Sequence, residues 1–187
     1  MKLPPNYVCG FVDGEACFTI VISKHKTKKL GLDARLHFEI ELRDDDLKIL
    51  QDIQETLECG RIYHLNYERY GWHPHVELKV SSIKKIRDKI IPFFKKHPLR
   101  GKKRHSFELF TKAAELFYTK EHLTMDGIEK LKKIRQKMNK YSKKKSRVRH
   151  GAGKPRAGRR ETSKPVMELR SQNTARQASK VSSARSG

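Results

Sequence analysis

The composition of the chain points to a polyanionic partner. Its 187 residues include 43 Lys and Arg against 21 Asp and Glu, a formal charge of +22, and the pI is about 10.1. Charge of this size describes the partner and not the fold, and it favours nucleic acid or an acidic membrane surface. The apolar runs fall short of the ~18 residues that a membrane span needs, so we expect no transmembrane helix.

The cysteines and the N-terminal residues indicate an intracellular protein. Cys9, Cys17 and Cys59 are odd in number and lie in apolar sequence surroundings, so we expect neither a disulfide framework nor a cysteine-based zinc site. Residues 1–5 lack the apolar segment of a signal peptide. We expect the protein in the cytoplasm or nucleoid of a prokaryote, or in a chloroplast or mitochondrion.

The first part of the chain predicts a helix, a hairpin and a second helix. Asn6 is predicted to cap a short helix that ends near residue 14. Residues 17–23 are rich in β-branched and aromatic types, and residues 35–42 alternate polar and apolar, so both segments predict strands. Residues 44–57 begin with three aspartates and continue with an apolar side, which predicts a helix.

The next part repeats the two-strand and helix order. Residues 61–66 and 73–80 predict a second hairpin, and Ser81 is predicted to cap a helix over 82–94. Residues 102–118 and 124–141 predict two further helices. The fold class is therefore α+β, an αββαββα domain with a four-stranded antiparallel sheet and C-terminal helices. One face of the sheet is polar and the other is apolar and covered by helices.

The composition changes at about residue 142. Residues 140–187 hold 15 Lys and Arg against two Asp and Glu, a formal charge of +13, and large apolar residues are scarce. We expect a folded domain over residues 1–141 and a basic, disordered tail over 142–187. The tail either adds electrostatic affinity for nucleic acid or is an inert extension.

The first helix carries small residues and carboxylates. Gly10 and Gly14 are four residues apart, so they share one face and permit close approach of a second helix. Asp13 and Glu15 stand at the end of this helix, directly before the first strand. A glycine pair alone is weak evidence, but its combination with these acids and a strand is much stronger.

Residues 7–18, Tyr-Val-Cys-Gly-Phe-Val-Asp-Gly-Glu-Ala-Cys-Phe, closely resemble the signature of the LAGLIDADG homing endonucleases. The resemblance extends over roughly residues 6–140. It implies that Glu15 is the metal-binding acid, with the carbonyl of Gly14 as a further ligand, for Mg²⁺ or another divalent cation such as Mn²⁺. It also implies a catalytic-pocket lysine, for which Lys102 is the first choice and Lys103 the second.

A single motif per chain predicts a homodimer. Hydrolysis of a phosphodiester needs charge neutralisation and an activated water, which carboxylate-bound divalent ions supply. One chain offers one such acid and a duplex has two strands, so we expect two chains on a pseudo-palindromic double-stranded DNA site. The predicted interface comprises Val8, Gly10, Phe11, Asp13 and Gly14, with Asp13 supporting the helix end.

The polar face of the predicted sheet is the candidate DNA surface. A twisted antiparallel sheet can follow the major groove and present alternate side chains to base edges. Arg61 and Lys79 suit guanine, and Glu39 and Glu77 suit cytosine amino groups. The predicted contacts are Thr19, Val21, Ser23, His25, Arg35, His37, Glu39, Arg61, Tyr63, His75, Glu77 and Lys79.

Three functions compete. The resemblance implies a metal-dependent, site-specific DNA endonuclease that serves intron homing. Leu42 falls where many members of that family carry a polar residue that positions water, and this departure, with the basic tail, favours an intron RNA maturase on the same fold. The third hypothesis is a non-catalytic DNA-binding regulator, against which the presence of Glu15 argues.

Overall fold

The structure, a computed structural model, describes residues 1–67 and 71–143, with the backbone alone for 140–143. The strands are β1 (Ala16–Lys24), β2 (Leu32–Arg43), β3 (Arg61–Leu65) and β4 (His75–Val80). The helices are α1 (Pro5–Glu15), α2 (Leu47–Leu57), α3 (Ile83–Lys85), α4 (Ile91–Lys96), α5 (Lys103–Tyr118) and α6 (Met125–Lys143). A π-helical turn, Ile86–Ile90, joins α3 to α4, and short 3-10 turns, Asp44–Asp46 and Glu121–Leu123, precede α2 and α6. This element order confirms the predicted α+β fold.

Two predicted helix caps are wrong by one or two residues. Helix α1 begins at Pro5 behind Pro4, so Asn6 lies inside its first turn and does not cap it. Proline suits this position because its missing N–H has no helical partner there. Ser82 and not Ser81 caps α3, since the Ser82 side chain accepts from the backbone N–H of Lys85.

The sheet has the strand order β1-β2-β4-β3, and every neighbouring pair is antiparallel. Alternate residues of β1, β2 and β4 point to the helices and are largely buried, as the period-two pattern predicts. Phe18 is the centre of the core beneath the sheet. Its ring centroid lies between 5.2 and 6.1 Å from those of Phe38, Phe94, Phe107 and Phe110.

The start of α6 packs closely on the turn before it. A Cβ on Gly127 would lie 1.8 Å from the carbonyl oxygen of Glu121, so only glycine fits at this contact. Within residues 1–67 and 71–143, no helix has the length and apolar character to cross a membrane. The predicted tail, 142–187, lies outside the described residues except for the backbone of its first two, and the predicted domain boundary stays a prediction.

Candidate active site and nucleic-acid interface

The junction between α1 and β1 presents a carboxylate to solvent. Gly14 and Glu15 are exposed, whereas Ala16 is fully buried and takes an extended conformation that ends the helix. The carbonyls in the last turn of a helix lack partners within the helix. The carboxylate of Glu15 and the carbonyl of Gly14 therefore form an exposed set of oxygen donors.

These donors suit a hard divalent cation, which prefers carboxylate and carbonyl oxygen. They are few, because the described part of the chain contains no group of three His, Cys, Asp or Glu able to hold a metal ion. One chain thus contributes one carboxylate at this end of α1. The donor set fits a metal shared with a further ligand source.

Asp13 turns away from solvent and holds another part of its own chain. Its Oδ2 accepts hydrogen bonds from the backbone N–H groups of Arg100, at 2.8 Å, and Gly101, at 2.9 Å. These two residues immediately precede α5. Asp13 therefore links the end of α1 to the start of α5, in line with its predicted support of the helix end.

The side chain of Lys103 contacts the α1–β1 junction. The ammonium of Lys103, which is half-buried, donates a hydrogen bond to the carbonyl oxygen of Ala16, the residue after Glu15. The side chain of Lys102 is exposed. The hydrogen bond to Ala16 favours Lys103 over Lys102, and the choice of the catalytic-pocket lysine stays a prediction.

The exposed face of α1 differs from the predicted interface at two residues, Val8 and Asp13, and Asp13 holds the segment before α5 of its own chain. Gly10, Phe11 and Gly14 are at least partly exposed, and a Cβ on either glycine would meet no atom within 4 Å. Val8 is fully buried in the core of its own chain, so it is not available to a partner, and this prediction is wrong. Tyr7 takes its place: it is 49% exposed and stacks on Phe11 with a centroid distance of 6.3 Å.

Tyr7 could have been found from the sequence. Positions 7, 10, 11 and 14 follow the i, i+3, i+4, i+7 spacing of one helix face, whereas position 8 lies on the face of Val12, which is also buried. Tyr7, Gly10, Phe11 and Gly14 form what we call the glycine stripe. A second helix could approach α1 closely along it.

The polar face of the sheet carries the predicted DNA contacts. The register pairs Thr19 with His37, Val21 with Arg35, Glu39 with Lys79, and Lys79 with Arg61. Glu77 pairs with Tyr63 in the same way. His25 follows β1 in the turn, where its ring lies 3.2 Å from the hydroxyl of Thr27. The same face also includes residues that the sequence analysis missed, namely Cys17, Asp33, Glu41, Arg43 and Leu65.

A charged cluster occupies the centre of this face. Glu39 accepts hydrogen bonds from Lys79 and from Thr19, the latter at 3.5 Å, and lies 3.0 Å from Nδ1 of His37. Lys79 also pairs with Glu77 at 3.3 Å. The residues predicted to contact guanine and cytosine are thus already paired with one another, apart from Arg61, which is exposed.

Burial and pairing act on this cluster in opposite directions. Burial alone would raise the pKa of Glu39, but the hydrogen bonds from His37 and Lys79 outweigh it and lower the pKa below the ordinary glutamate value. Burial would lower the pKa of Lys79, and the hydrogen bond with Glu39 raises it instead. Both groups are therefore held in their charged forms.

Leu42 and two of the three cysteines lie at least partly in the core, and the third cysteine is exposed. Leu42 is half-buried and packs against the core on the helix-covered side of the sheet, so no polar group stands there. Cys9 and Cys59 are buried, and burial raises the pKa of the Cys59 thiol to about 11. Cys17 is exposed on the polar face, which contradicts its predicted apolar surroundings.

The family model of the LAGLIDADG endonucleases matches residues 8–114. The chain belongs to this family. A protein of Neurospora crassa named probable intron-encoded endonuclease 3 is 32% identical over 139 residues, which cover 74% of this chain and 25% of that protein. DNA endonuclease I-CeuI of Chlamydomonas moewusii is 28% identical over 91 residues, or 49% of this LAGLIDADG chain and 40% of the relative.

Solved LAGLIDADG structures share the fold. The homing endonuclease I-LtrWI, bound to its target DNA, matches with a TM-score of 0.68 and 35% identity over 74% of this chain and 45% of that chain. The homing endonuclease I-TnaI matches with a TM-score of 0.66 and 28% identity, covering 80% of this chain and 100% of that chain. This chain spans about a quarter of the Neurospora relative, about half of I-LtrWI and all of I-TnaI.

Proposed function

We propose that the protein is a site-specific DNA endonuclease that acts as a homodimer and uses a divalent metal ion. The observation that carries the proposal is the exposed Glu15 at the end of the glycine stripe. Two chains that pack along this stripe would bring their Glu15 carboxylates together on one side of the interface. Support comes from I-TnaI, which this chain matches over its whole length, and from I-LtrWI, which was solved on target DNA.

The residues at the junction have distinct roles in this proposal. Glu15 and the carbonyl of Gly14 would hold Mg²⁺ or Mn²⁺, which neutralises phosphate charge and lowers the pKa of bound water. The ammonium of Lys103 would face the scissile phosphate and stabilise the charge that develops there. The polar sheet faces of the two chains would lie in the major groove on either side and select the sequence.

Relatives named as intron-encoded endonucleases support intron homing as the biological role. The predicted location, a prokaryotic cytoplasm or an organelle, stays a prediction. Leu42 offers no polar group to orient water, so the metal ions and Lys103 would carry that task in this chain.

The proposal is tested with Glu15→Gln. The protein is incubated with Mg²⁺ and a library of randomised duplexes, and the cut ends are sequenced. We expect the wild type to cut a pseudo-palindromic subset and Glu15→Gln to bind the same duplexes without cutting them, because the amide cannot replace the carboxylate as a metal ligand. The matched control is Glu129→Gln, which alters an exposed glutamate of α6 that pairs with Lys132.

Two results would contradict this function. If Glu15→Gln cuts DNA at the wild-type rate, Glu15 is not a ligand of the metal ion. If the wild type binds a defined DNA sequence and never cuts it, the remaining hypothesis is a DNA-binding regulator.

A second function, an intron RNA maturase, is favoured by the charge of the helix layer. Residues 83–96 carry six Lys and Arg against one Asp, and we call these six residues the helix-side basic cluster: Lys84, Lys85, Arg87, Lys89, Lys95 and Lys96. The segment packs through Phe94 against Phe18 and Phe38, on the side of the sheet opposite the polar face. A cavity of about 870 Å³ lies beside Arg87, Lys95 and Lys96.

The helix-side basic cluster could bind RNA phosphates while the sheet remains open to DNA. We expect the triple variant Arg87→Gln, Lys95→Gln, Lys96→Gln to lose affinity for the host intron RNA and to keep its affinity for the DNA target. Filter binding with each nucleic acid measures both, and a splicing assay of the intron measures the activity. Equal losses for RNA and DNA would refute a separate RNA surface.

A further inference from the structure

We propose that Asp13 positions Lys103, and so acts on the reaction through the first turn of α5 without contacting metal or DNA. The inference rests on the proposed endonuclease function and gives a role to the one acid of the motif that does not face solvent. The hydrogen bonds of Asp13 also explain why Arg100 and Gly101, just before α5, lie close to α1. Asp13 is a positioning residue in this scheme and not a catalytic one.

Asp13 connects the end of α1 to the segment before α5. Oδ2 of Asp13 accepts from two successive backbone N–H groups, those of Arg100 and Gly101. Two bonds to one oxygen fix both the distance and the direction of the segment. The carbonyl of Gly101 in turn accepts from the N–H of Arg104 at 3.2 Å, in the first turn of α5.

Gly101 packs closely against the carboxylate of Asp13. A Cβ on this residue would lie 3.0 Å from Oδ1 and 3.1 Å from Cγ of Asp13, which is tighter than ordinary contact. Oδ1 is itself buried and has no hydrogen-bond partner in the described part of the chain. Glycine therefore allows the carboxylate to sit directly against the backbone.

Lys103 contacts the chain at the C-terminal end of α1, beside Glu15. Lys103 lies two residues after Gly101, and its ammonium donates to the carbonyl oxygen of Ala16. Asp13, Glu15 and Ala16 are neighbours at the end of α1. Asp13 binds Gly101, and Lys103, two residues later, binds Ala16, which is beside Glu15. Moving the segment at 100–101 would move the ammonium relative to the Glu15 carboxylate.

A purely structural role for Asp13 makes a different prediction. Such a role would be capping of α5, but the N-cap of that helix is Lys102 and no side chain bonds there. Loss of Asp13 would then change the unfolding midpoint without a selective effect on Lys103. The two roles are separated by a measurement on Lys103 itself.

The test compares the reactivity of Lys103 with that of its exposed neighbour, Lys102. The full-length protein, without DNA or metal, is acetylated with limiting reagent, digested with chymotrypsin, and the two lysines are quantified by mass spectrometry. In the wild type we expect Lys102 to react faster, because the Lys103 ammonium is half-buried and hydrogen-bonded. In Asp13→Ala we expect the Lys103 to Lys102 ratio to rise several-fold.

Activity provides the second readout. We expect Asp13→Ala to lower the single-turnover cleavage rate about 10- to 100-fold, since a displacement near 1 Å at a reacting group costs this much. DNA affinity in EDTA should stay at the wild-type value. Asp13→Asn keeps an acceptor oxygen and should recover both the labelling ratio and most of the rate.

Gly101→Ala probes the same contact from the other side, and it serves where Asp13→Ala does not fold. We expect it to raise the labelling ratio and lower the rate, with α1 unaltered. A labelling ratio that is unchanged in both variants overturns the proposal, as does an Asp13→Asn variant that behaves like Asp13→Ala. If the wild type does not cut DNA, the endonuclease function fails while the labelling result still decides the placement of Lys103.

Discussion

Glu39 shows how single residues on the polar face of the sheet are held by contacts within their own chain. It is only 20% exposed at the side chain and receives hydrogen bonds from Lys79, His37 and Thr19. Glu41, two residues along the same face, is 42% exposed and lies 2.8 Å from Nδ1 of His75. The two glutamates therefore differ in burial and pairing on the same strand.

Glu39→Gln should destabilise the protein at pH 7 by about 1–3 kcal/mol, the usual contribution of hydrogen bonds to a charged group. The pKa of Glu39 is lowered in the folded protein, so its contribution is complete above the unfolded value of about 4.3. It disappears as the pH falls through the lower folded pKa. Unfolding in urea at pH 7 and at successively lower pH measures this convergence of wild type and variant.

Glu41→Gln is the control for this prediction. Its effect at pH 7 should be smaller, because the residue is more exposed and has fewer contacts. A Glu39→Gln variant that is as stable as the wild type at pH 7 would show that the charged cluster contributes nothing to folding. A difference that persists without change at low pH would show that charge is not its source.

At the scale of elements, α1 has one face buried in its own core and one exposed face. Val8 and Val12 are fully buried, and the glycine stripe faces outward. Glycine in a helix interior costs up to about 1 kcal/mol relative to alanine. Two such glycines at exposed positions have no use in the isolated chain, which supports their role in close helix packing.

Gly10→Leu separates folding from association. A Cβ here meets no atom of its own chain within 4 Å, so we expect the fold of the subunit to be kept. The leucine should block the approach of the second α1, and mass photometry should show a shift from dimer to monomer. DNA cleavage should be lost with it, because two Glu15 are needed.

The matched control is Lys112→Leu, which adds a leucine on the exposed face of α5. It should leave the oligomeric state unchanged. A Gly10→Leu protein that remains dimeric and active would place the interface elsewhere. Gly127→Ala, by contrast, should destabilise the chain itself, since a Cβ there meets the backbone of Glu121.

The sequence was most informative where a pattern repeats. Alternation along residues 35–42 predicted the strand and the orientation of its side chains, because a strand has a fixed period of two. The helical period was misapplied at Val8, which shares a face with the buried Val12 and not with the two glycines. The sequence ranked Lys102 ahead of Lys103, because it does not show the contact between Asp13 and Gly101, 88 residues apart, on which the direction of each side chain depends.

At the scale of the whole molecule, three regions carry basic charge in different settings. The polar face of the sheet holds charges that are largely paired, the helix-side basic cluster lies on the opposite side, and residues 140–187 carry a formal charge of +13. Only unpaired charge releases counterions in full when it meets phosphate. The three regions should therefore differ in their effect on salt dependence.

Removal of residues 143–187 should weaken binding about equally for target and non-target duplexes. Each phosphate contact that is lost should reduce the slope of log K against log salt by about 0.9. Fluorescence anisotropy over a range of KCl concentrations measures the slope. A full-length variant with the Lys and Arg of this segment changed to Gln separates charge from length, and an unchanged slope in both proteins would make the tail an inert extension.

The pairing of Lys79 with Glu39 has a consequence for discrimination between base pairs. A base that bonds to Lys79 must take the place of an internal acceptor, so a matching site exchanges one contact for another and gains little in total. A mismatched site breaks the internal pair and leaves both half-buried ions unsatisfied, which is costly. Selectivity on this face would then come from rejecting wrong sequences more than from rewarding the right one.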